Sequence, residues 1–322
     1  MSNNTFPRLI GDVGGTNARF AWQAAPGAEL SHVQTLPAAD HPTLLAAMQA
    51  YIASIGQGAP RQGAIGIANP VLGDRVQMTN HHWQFSISEM QAALGLERLV
   101  FLNDFTALAL SLTALAPDEQ RQVGGGVADP LAAIGLIGPG TGLGVSGLFR
   151  GPNGLVIPID GEGGHVTLAA ASVFEDQILQ AMRERFGHVS AERAVSGQGL
   201  ENLYVAVCTV RGLPAQPLVA SDIGTRALSG EDPACVEALD LFFAFLGSTA
   251  GNLALSLGAR GGVYIGGGIV PRMGDRIDRS AFRERFEGKG RFQTYLSKIP
   301  TLVVQAHISP ALIGAAQALE RA

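Results

Sequence analysis

A chain of 322 residues, 47% hydrophobic and 15% charged, has ample apolar material for a core and enough length for two lobes. A net charge of −5 without any dense basic run argues against a general nucleic-acid binder. The two cysteines, Cys208 and Cys235, lie far apart; they argue against a disulfide scaffold or a cysteine zinc site and suit a reducing compartment.

Met1 to Pro7 shows no basic segment followed by an apolar one, so no secretory signal is expected. Arg8 to Val13 reads as a short apolar strand, and residues 18–23 as a second. Between them, Asp12-Val13-Gly14-Gly15-Thr16-Asn17 makes a hairpin turn whose backbone N–H groups can cradle phosphate oxygens. A carboxylate beside such a cradle repels the ligand unless a cation lies between them, so Asp12 implies Mg²⁺, directly or through water. An ordinary glycine hairpin with a solvated Asp12 fits the same residues.

Periodicity predicts a helix over 42–55 and strands over 62–68 and 75–79. His81 and His82 are adjacent; on an extended chain they would point apart, so loop packing is the expectation rather than a metal site. Ser86 and Glu89 form a capping box for a helix over 86–94. A strand over 98–102 leads into Asn103-Asp104-Phe105, and a helix over 106–115 follows. An Asn-Asp pair at a strand's C-terminal end opens into the crevice where α/β proteins bind ligands, and a carboxylate there can take a proton from a bound hydroxyl. Asp104 as a simple helix cap is the alternative.

Residues 116–130 mix Pro, charge and Gly124-Gly125-Gly126 and are expected to cross between lobes. A strand over 131–137 ends in Gly138-Pro139-Gly140-Thr141-Gly142-Leu143-Gly144, and a strand over 145–149 returns. The two Gly/Thr turns match in layout, which points to a duplicated unit that grips a nucleotide from both sides. A strand over 155–159 precedes Glu162 and His165, held on glycine-rich backbone that can place them around a small polar ligand; a lone surface acid and a satisfied histidine are the plainer reading of the same residues. A helix is expected over 171–186. Ser190 can then cap a turn carrying Glu192, an acid that also complements a helix dipole. Further helices are expected over 196–208, 221–228 and 233–257. The last holds the most membrane-like run, 241–257, but Ser248, Asn252 and Ser256 interrupt it, so it reads as a buried core helix. A strand over 262–265 ends in Gly266-Gly267-Gly268-Ile269, where a flat group can lie on the backbone. A helix over 279–286, a strand over 301–305 and a closing helix over 310–321 complete the chain.

The phosphate-binding patterns of other folds are missing. The two lysines, Lys289 and Lys298, sit in no Walker A motif. The glycine turns lead into returning strands, not into a Rossmann helix, and the protein-kinase signatures are absent.

Asp12-x-Gly14-Gly15-Thr16-Asn17, Asn103-Asp104-Phe105, Gly138-x-Gly140-Thr141-Gly142-x-Gly144, Gly161-Glu162-Gly163-Gly164-His165, His188-Val189-Ser190-Ala191-Glu192 and Gly266-Gly267-Gly268-Ile269-Val270-Pro271 occur in the order seen in bacterial glucokinases. The chain resembles that family, in its proteobacterial type, within the hexokinase/actin-like ATPase superfamily. The resemblance implies an α/β chain with a two-lobed ribonuclease H-like/actin-like ATPase fold. In it a small α/β domain (1–115, completed by a C-terminal helix, 308–322) and a larger α+β domain (116–307) flank a central cleft. It implies ATP-dependent phosphorylation of D-glucose at the 6-hydroxyl, with Asp104 as general base and Asn103, Asp104, Glu162, His165 and Glu192 on the sugar. It places Gly11, Asp12, Gly14, Gly15, Thr16 and Asn17, with Gly138, Gly140, Thr141 and Gly142, on the ATP phosphates. Gly266, Gly267, Gly268 and Ile269 fall near adenosine, and Asp12 on Mg²⁺. It also implies a cytoplasmic homodimer with no nucleic-acid or membrane partner. A kinase for another hexose, or a sugar and nucleotide sensor without turnover, are the alternatives. The related repressor/ORF/kinase (ROK) glucokinases follow the same Gly-Glu-Gly-Gly-His with a cysteine-rich zinc segment. Residues 166–172 hold no cysteine, so His165 is expected on sugar, not zinc. The first turn begins at Gly11, leaving no expected room for a preceding DNA-binding segment.

Overall fold

The structure, a computed structural model, describes residues 5–79, 81–306 and 308–320. Residues 1–4 of the N-terminal reading, Asn80 beside the histidine pair and Arg321 at the end of the expected closing helix lie outside the described residues. The chain divides into two units, Met1–Ala116 with Ala306–Ala322, and Pro117–Gln305.

The first unit runs β1 (Arg8–Val13), β2 (Asn17–Gln23), β3 (Ser31–Pro37), α1 (Leu44–Ile55), β4 (Gln62–Ile67), β5 (Arg75–Gln77), β6 (Gln84–Ser86), α2 (Ile87–Leu94), β7 (Arg98–Asn103) and α3 (Asp104–Ser111). Local signals set the helix ends. Thr43 Oγ1 caps α1 by accepting from Ala46 N, Ser86 Oγ caps α2 by accepting from Glu89 N, and Gly56 and Gly95 end these helices in left-handed backbone. The main sheet has the order β3-β2-β1-β4-β7, with β1, β4 and β7 parallel and β2 and β3 antiparallel. Phe20, Tyr51 and Trp83 fill one of its cores.

The second unit runs β8 (Gln120–Val123), β9 (Ile134–Pro139), β10 (Leu143–Arg150), β11 (Val156–Ile159), α4 (Val173–Phe186), α5 (Gly197–Arg211), α6 (Ala220–Ser229), α7 (Pro233–Leu257), β12 (Val263–Ile265), α8 (Ile269–Arg272), α9 (Phe282–Glu287), α10 (Gln293–Leu296) and β13 (Thr301–Val304). Its sheet has the order β11-β10-β9-β12-β13-β8. Strand senses repeat those of the first unit: β11, β10 and β9 are antiparallel, and β9, β12 and β13 are parallel. The duplication expected from two Gly/Thr turns therefore extends to five strands in each unit.

The structure adds to one sequence reading and agrees with another. Residues 116–130 are not only a crossing; β8 within them pairs antiparallel to β13 at the sheet's edge. The apolar run in α7 is core: 78% of its most hydrophobic window is buried within the protein. At Gly247 a Cβ would lie 2.2 Å from Phe282 O, so α9 rests directly on the α7 backbone.

The last helix, α11 (Pro310–Ala318), packs in the first unit against β1, β4 and α3. Leu312, Ala315 and Leu319 bury against Ile10, Ala21 and Ala64. A Cβ added at Gly314 would lie 1.6 Å from Ala107 O, a backbone atom that cannot swing aside. Gly314→Ala must push α3 and α11 apart, and overpacking of this kind costs about 2–3 kcal/mol. Denaturant unfolding should show the loss; an unchanged midpoint would mean that the helix pair is not tightly seated.

Candidate functional site

The first unit gathers its candidate residues at one sheet edge. Val13, Ile67 and Asn103 are in register across β1, β4 and β7. Since these strands are parallel, the turn after Val13 and the start of α3 emerge from the same C-terminal edge, where open α/β sheets bind ligands. Gly66 sets how closely α3 approaches: a Cβ there would lie 3.3 Å from Ala107 Cβ and 3.8 Å from Asp104 Cα.

Asn103, not Asp104, is the helix cap. Its Oδ1 accepts from Phe105 N at 2.9 Å and Thr106 N at 3.2 Å, which leaves the amide donors for another partner. Asp104 is the first residue of α3, half-buried, with Oδ1 2.9 Å from Phe105 N. An acidic side chain in the first turn complements the helix dipole. The helix thus begins two residues earlier than the periodicity suggested, because Asn103 supplies the cap and the apolar pattern starts only afterwards.

In the first turn, Gly14 N donates to Asn17 O at 2.9 Å and closes the hairpin, while Thr16 and Asn17 are exposed. Gly11 is not part of the turn. It lies inside β1, where a Cβ would meet Ile65 Cδ1 at 2.6 Å, so its role is packing. Asp12 keeps 23% of its side chain exposed and is not the freely solvated acid of the plain-hairpin alternative. Its Oδ2 accepts from Ser309 Oγ at 2.8 Å and lies 3.5 Å from Arg19 Nη1. Burial pushes its carboxyl above the ordinary 3.8, although Ser309 and Arg19 both pull it down. Among the described residues no cluster of three His, Cys, Asp or Glu could hold a metal ion. Mg²⁺ fits such a site, since it keeps several waters and takes one or two carboxylates plus substrate phosphates. Ser309 and Arg19 escaped the sequence reading. Ser309 sits at the N-cap position of α11 but makes no cap bond, because its hydroxyl is turned to Asp12.

The second unit brings Glu162, His165 and Glu192 together. Leu168 N donates to Val189 O at 3.0 Å and Ala191 N to Val166 O at 2.9 Å, zipping the two segments side by side. His165 Nε2 lies 3.9 Å from Glu162 Oε2, and His165 Nδ1 lies 4.0 Å from Glu192 Oε1. Their side chains are 61%, 59% and 32% exposed for Glu162, His165 and Glu192, open enough to meet a polar ligand. The glycines beside them allow close packing: a Cβ at Gly164 would lie 2.0 Å from Leu143 O. Ser190 Oγ accepts from Arg193 N at 3.4 Å, so it does cap the short turn that carries Glu192.

Of the second Gly/Thr turn, Gly138 lies within β9, while Gly140, Thr141 and Gly142 form the bend itself. Gly266 N donates to Ile137 O at 2.9 Å, and a Cβ at Gly267, where φ is +75°, would lie 2.3 Å from Pro139 O. The Gly266–Ile269 stretch therefore packs against the base of that turn, and Gly268 precedes α8.

His81 and His82 correct an expectation. The chain bends there, so the rings do not point apart; their centroids are 4.3 Å apart, and His81 meets Trp83 edge-on at 4.5 Å. His82 Nε2 lies 3.3 Å from Pro42 O, which agrees with a packing role.

A five-strand pattern repeated in both sheets, with a Gly/Thr hairpin at the head of each, is the fold of sugar kinases in the actin-like ATPase class. The crystal structure of glucokinase from an Antarctic psychrotroph superposes with a TM-score of 0.90 at 37% identity, covering 98% of this chain and 99% of that one. A more distant structure, the ROK family glucokinase from Streptomyces griseus in complex with glucose and AMPPNP, has a TM-score of 0.64 at 18% identity, over 97% and 99% of the two chains, and shares the fold. A protein-family model described as Glucokinase matches residues 9–322. Glucokinase of Aromatoleum aromaticum is 56% identical over 321 residues, covering 99% of this chain and 96% of the relative. The chain belongs to the glucokinase family.

Proposed function

We propose that the protein transfers the γ-phosphoryl group of ATP to the 6-hydroxyl of D-glucose, releasing glucose 6-phosphate and ADP. Membership of the glucokinase family supports this reading. The observation that carries it furthest is the shared sheet edge of the Gly14–Asn17 turn and Asp104, a phosphate cradle and a carboxylate on one rim.

Phosphoryl transfer passes through a loose transition state, so positioning and charge neutralisation dominate. In this reading Asp104 Oδ2 accepts the 6-hydroxyl proton, and the Asn103 amide donates to the sugar. Glu162 and Glu192 accept from hydroxyls, and His165 donates or accepts between them. Gly14, Gly15, Thr16 and Asn17, with Gly140, Thr141 and Gly142, hold phosphate oxygens, and the Gly266–Ile269 backbone takes the adenosine side. Asp12 would hold Mg²⁺ through its waters; bound there, the ion supplies neutralisation of phosphate charge. We place the enzyme in the cytoplasm as a homodimer. The buried free thiols of Cys208 and Cys235 support a reducing compartment.

The test is ADP release in a coupled assay across a panel of hexoses. Glucose should give the highest kcat/KM. No ADP release with any sugar would leave only a binding function, and preference for mannose or an N-acetylhexosamine would reassign the substrate. Within the same site, Glu162→Gln should weaken glucose binding by roughly 1–3 kcal/mol and leave ATP binding nearly unchanged. Calorimetric titration showing the opposite order would move the sugar away from Glu162.

A further inference from the structure

One short segment holds both the sugar-facing acid and the second phosphate turn. Leu143 N donates to Glu192 Oε2 at 2.8 Å, and a Cβ at Gly142 would lie 2.5 Å from the same oxygen. On the other flank of the turn, Gly197 N donates to Gly140 O at 2.9 Å. Between these two grips, Ser196, 1% exposed, donates from Oγ to Glu192 O at 2.8 Å and accepts from Gly199 N at 2.9 Å. The turn is closed internally by Gly140 N donating to Gly142 O at 2.8 Å. Glu192 therefore offers one carboxylate oxygen toward His165 and spends the other on the phosphate turn.

We infer that the Glu192–Gly197 segment couples sugar binding to nucleotide binding within the second unit, with Ser196 and Gly197 as positioning residues. This rests on the glucose kinase reading. A sugar hydroxyl that donates to Glu192 Oε1 fixes the carboxylate's rotation and keeps Oε2 on Leu143 N. The turn is then held at both flanks before phosphate arrives, and the nucleotide no longer has to order it. By linkage the effect is reciprocal: the nucleotide tightens glucose by the same factor.

Gly197 allows a test. It is the first residue of α5, where proline is well accepted, and Ser196 before it is extended at φ −158° and ψ 180°, as proline requires. Gly197→Pro deletes the N–H that holds Gly140 O and sets its ring Cδ where that hydrogen was, so it both releases and displaces the turn. Gly197→Ala keeps it, and its Cβ would sit at an ordinary 3.5 Å from Gly140 O. In the full chain, glucose and the non-hydrolysable analogue AMPPNP are titrated separately and together. Wild type and Gly197→Ala should show about tenfold mutual tightening. Gly197→Pro should lose it while glucose alone binds as in wild type. If Gly197→Pro does not fold, Ser196→Ala serves: it should lower the coupling at least roughly threefold, and Ser196→Thr should restore it. Full coupling in whichever of Gly197→Pro or Ser196→Ala folds, or none in wild type, overturns the link while leaving the kinase reading in place. A wild-type protein that binds no glucose overturns the kinase reading itself.

Discussion

Asp104→Asn is expected to lower kcat by about 10²–10⁴-fold, the contribution usual for a positioned general base. The amide has the same shape as the carboxylate and can still accept a hydrogen bond from Phe105 N. It cannot take the proton of a sugar hydroxyl. The cap of α3 should survive, because it belongs to Asn103. A smaller effect competes: an anion in the first turn stabilises a helix by about 0.3–1 kcal/mol, so the variant should melt slightly earlier. Turnover is therefore compared at a temperature where both proteins are folded, alongside glucose affinity measured without ATP. Affinity should stay within a few-fold of wild type. Turnover within tenfold of wild type would remove Asp104 from the base role.

How far the sequence reached depended on whether a signal was local. β1 and α7 match their expected limits at both ends, because each is mostly apolar and has clear local boundaries. In α7 the boundary is Asp232-Pro233 at the start and Gly258 at the end. β3 was invisible: Ser31–Pro37 is largely exposed edge strand with mixed polarity, and only its pairing to β2 makes it a strand. β8 was missed for the same reason, since Gln120–Val123 has no alternation and is defined by Thr301–Val304 across the sheet. The region over 279–286 divides into a 3-10 turn, Gly274–Arg279, and α9, because Ser280 Oγ accepts from Phe282 N and breaks the helix between them. For the candidate site, glycine turns and exposed acids were legible because they need particular residue types. The partners that set their chemistry were not. Arg19 reaches Asp12 through the β1–β2 register, Ser309 arrives 297 residues later in the chain, and Leu143 contributes only a backbone N–H.

Asp12→Asn should separate stability from activity. Burial raises the Asp12 carboxyl above its ordinary 3.8, so the folded state binds this proton more tightly than the unfolded chain. The resulting stability is fully present below 3.8 and is lost as pH rises through the raised folded value. At neutral pH the ionised group is therefore a net burden on the fold in the absence of ligand, despite Arg19 and Ser309. An asparagine removes that burden and can still accept from Ser309 Oγ, while Arg19, with 40% of its side chain exposed, returns to solvent at little loss. The variant should melt higher at neutral pH. Its stability should also lose part of its pH dependence just above 3.8. Turnover should fall on the order of 10²-fold, because the side chain can no longer hold a cation beside the phosphates. On the proposed function the two effects have one origin, a carboxylate placed where its charge is disfavoured and set to act on a bound phosphate. A variant that melts lower at neutral pH while keeping wild-type turnover would show that Arg19 already satisfies Asp12, and that its charge serves the fold alone.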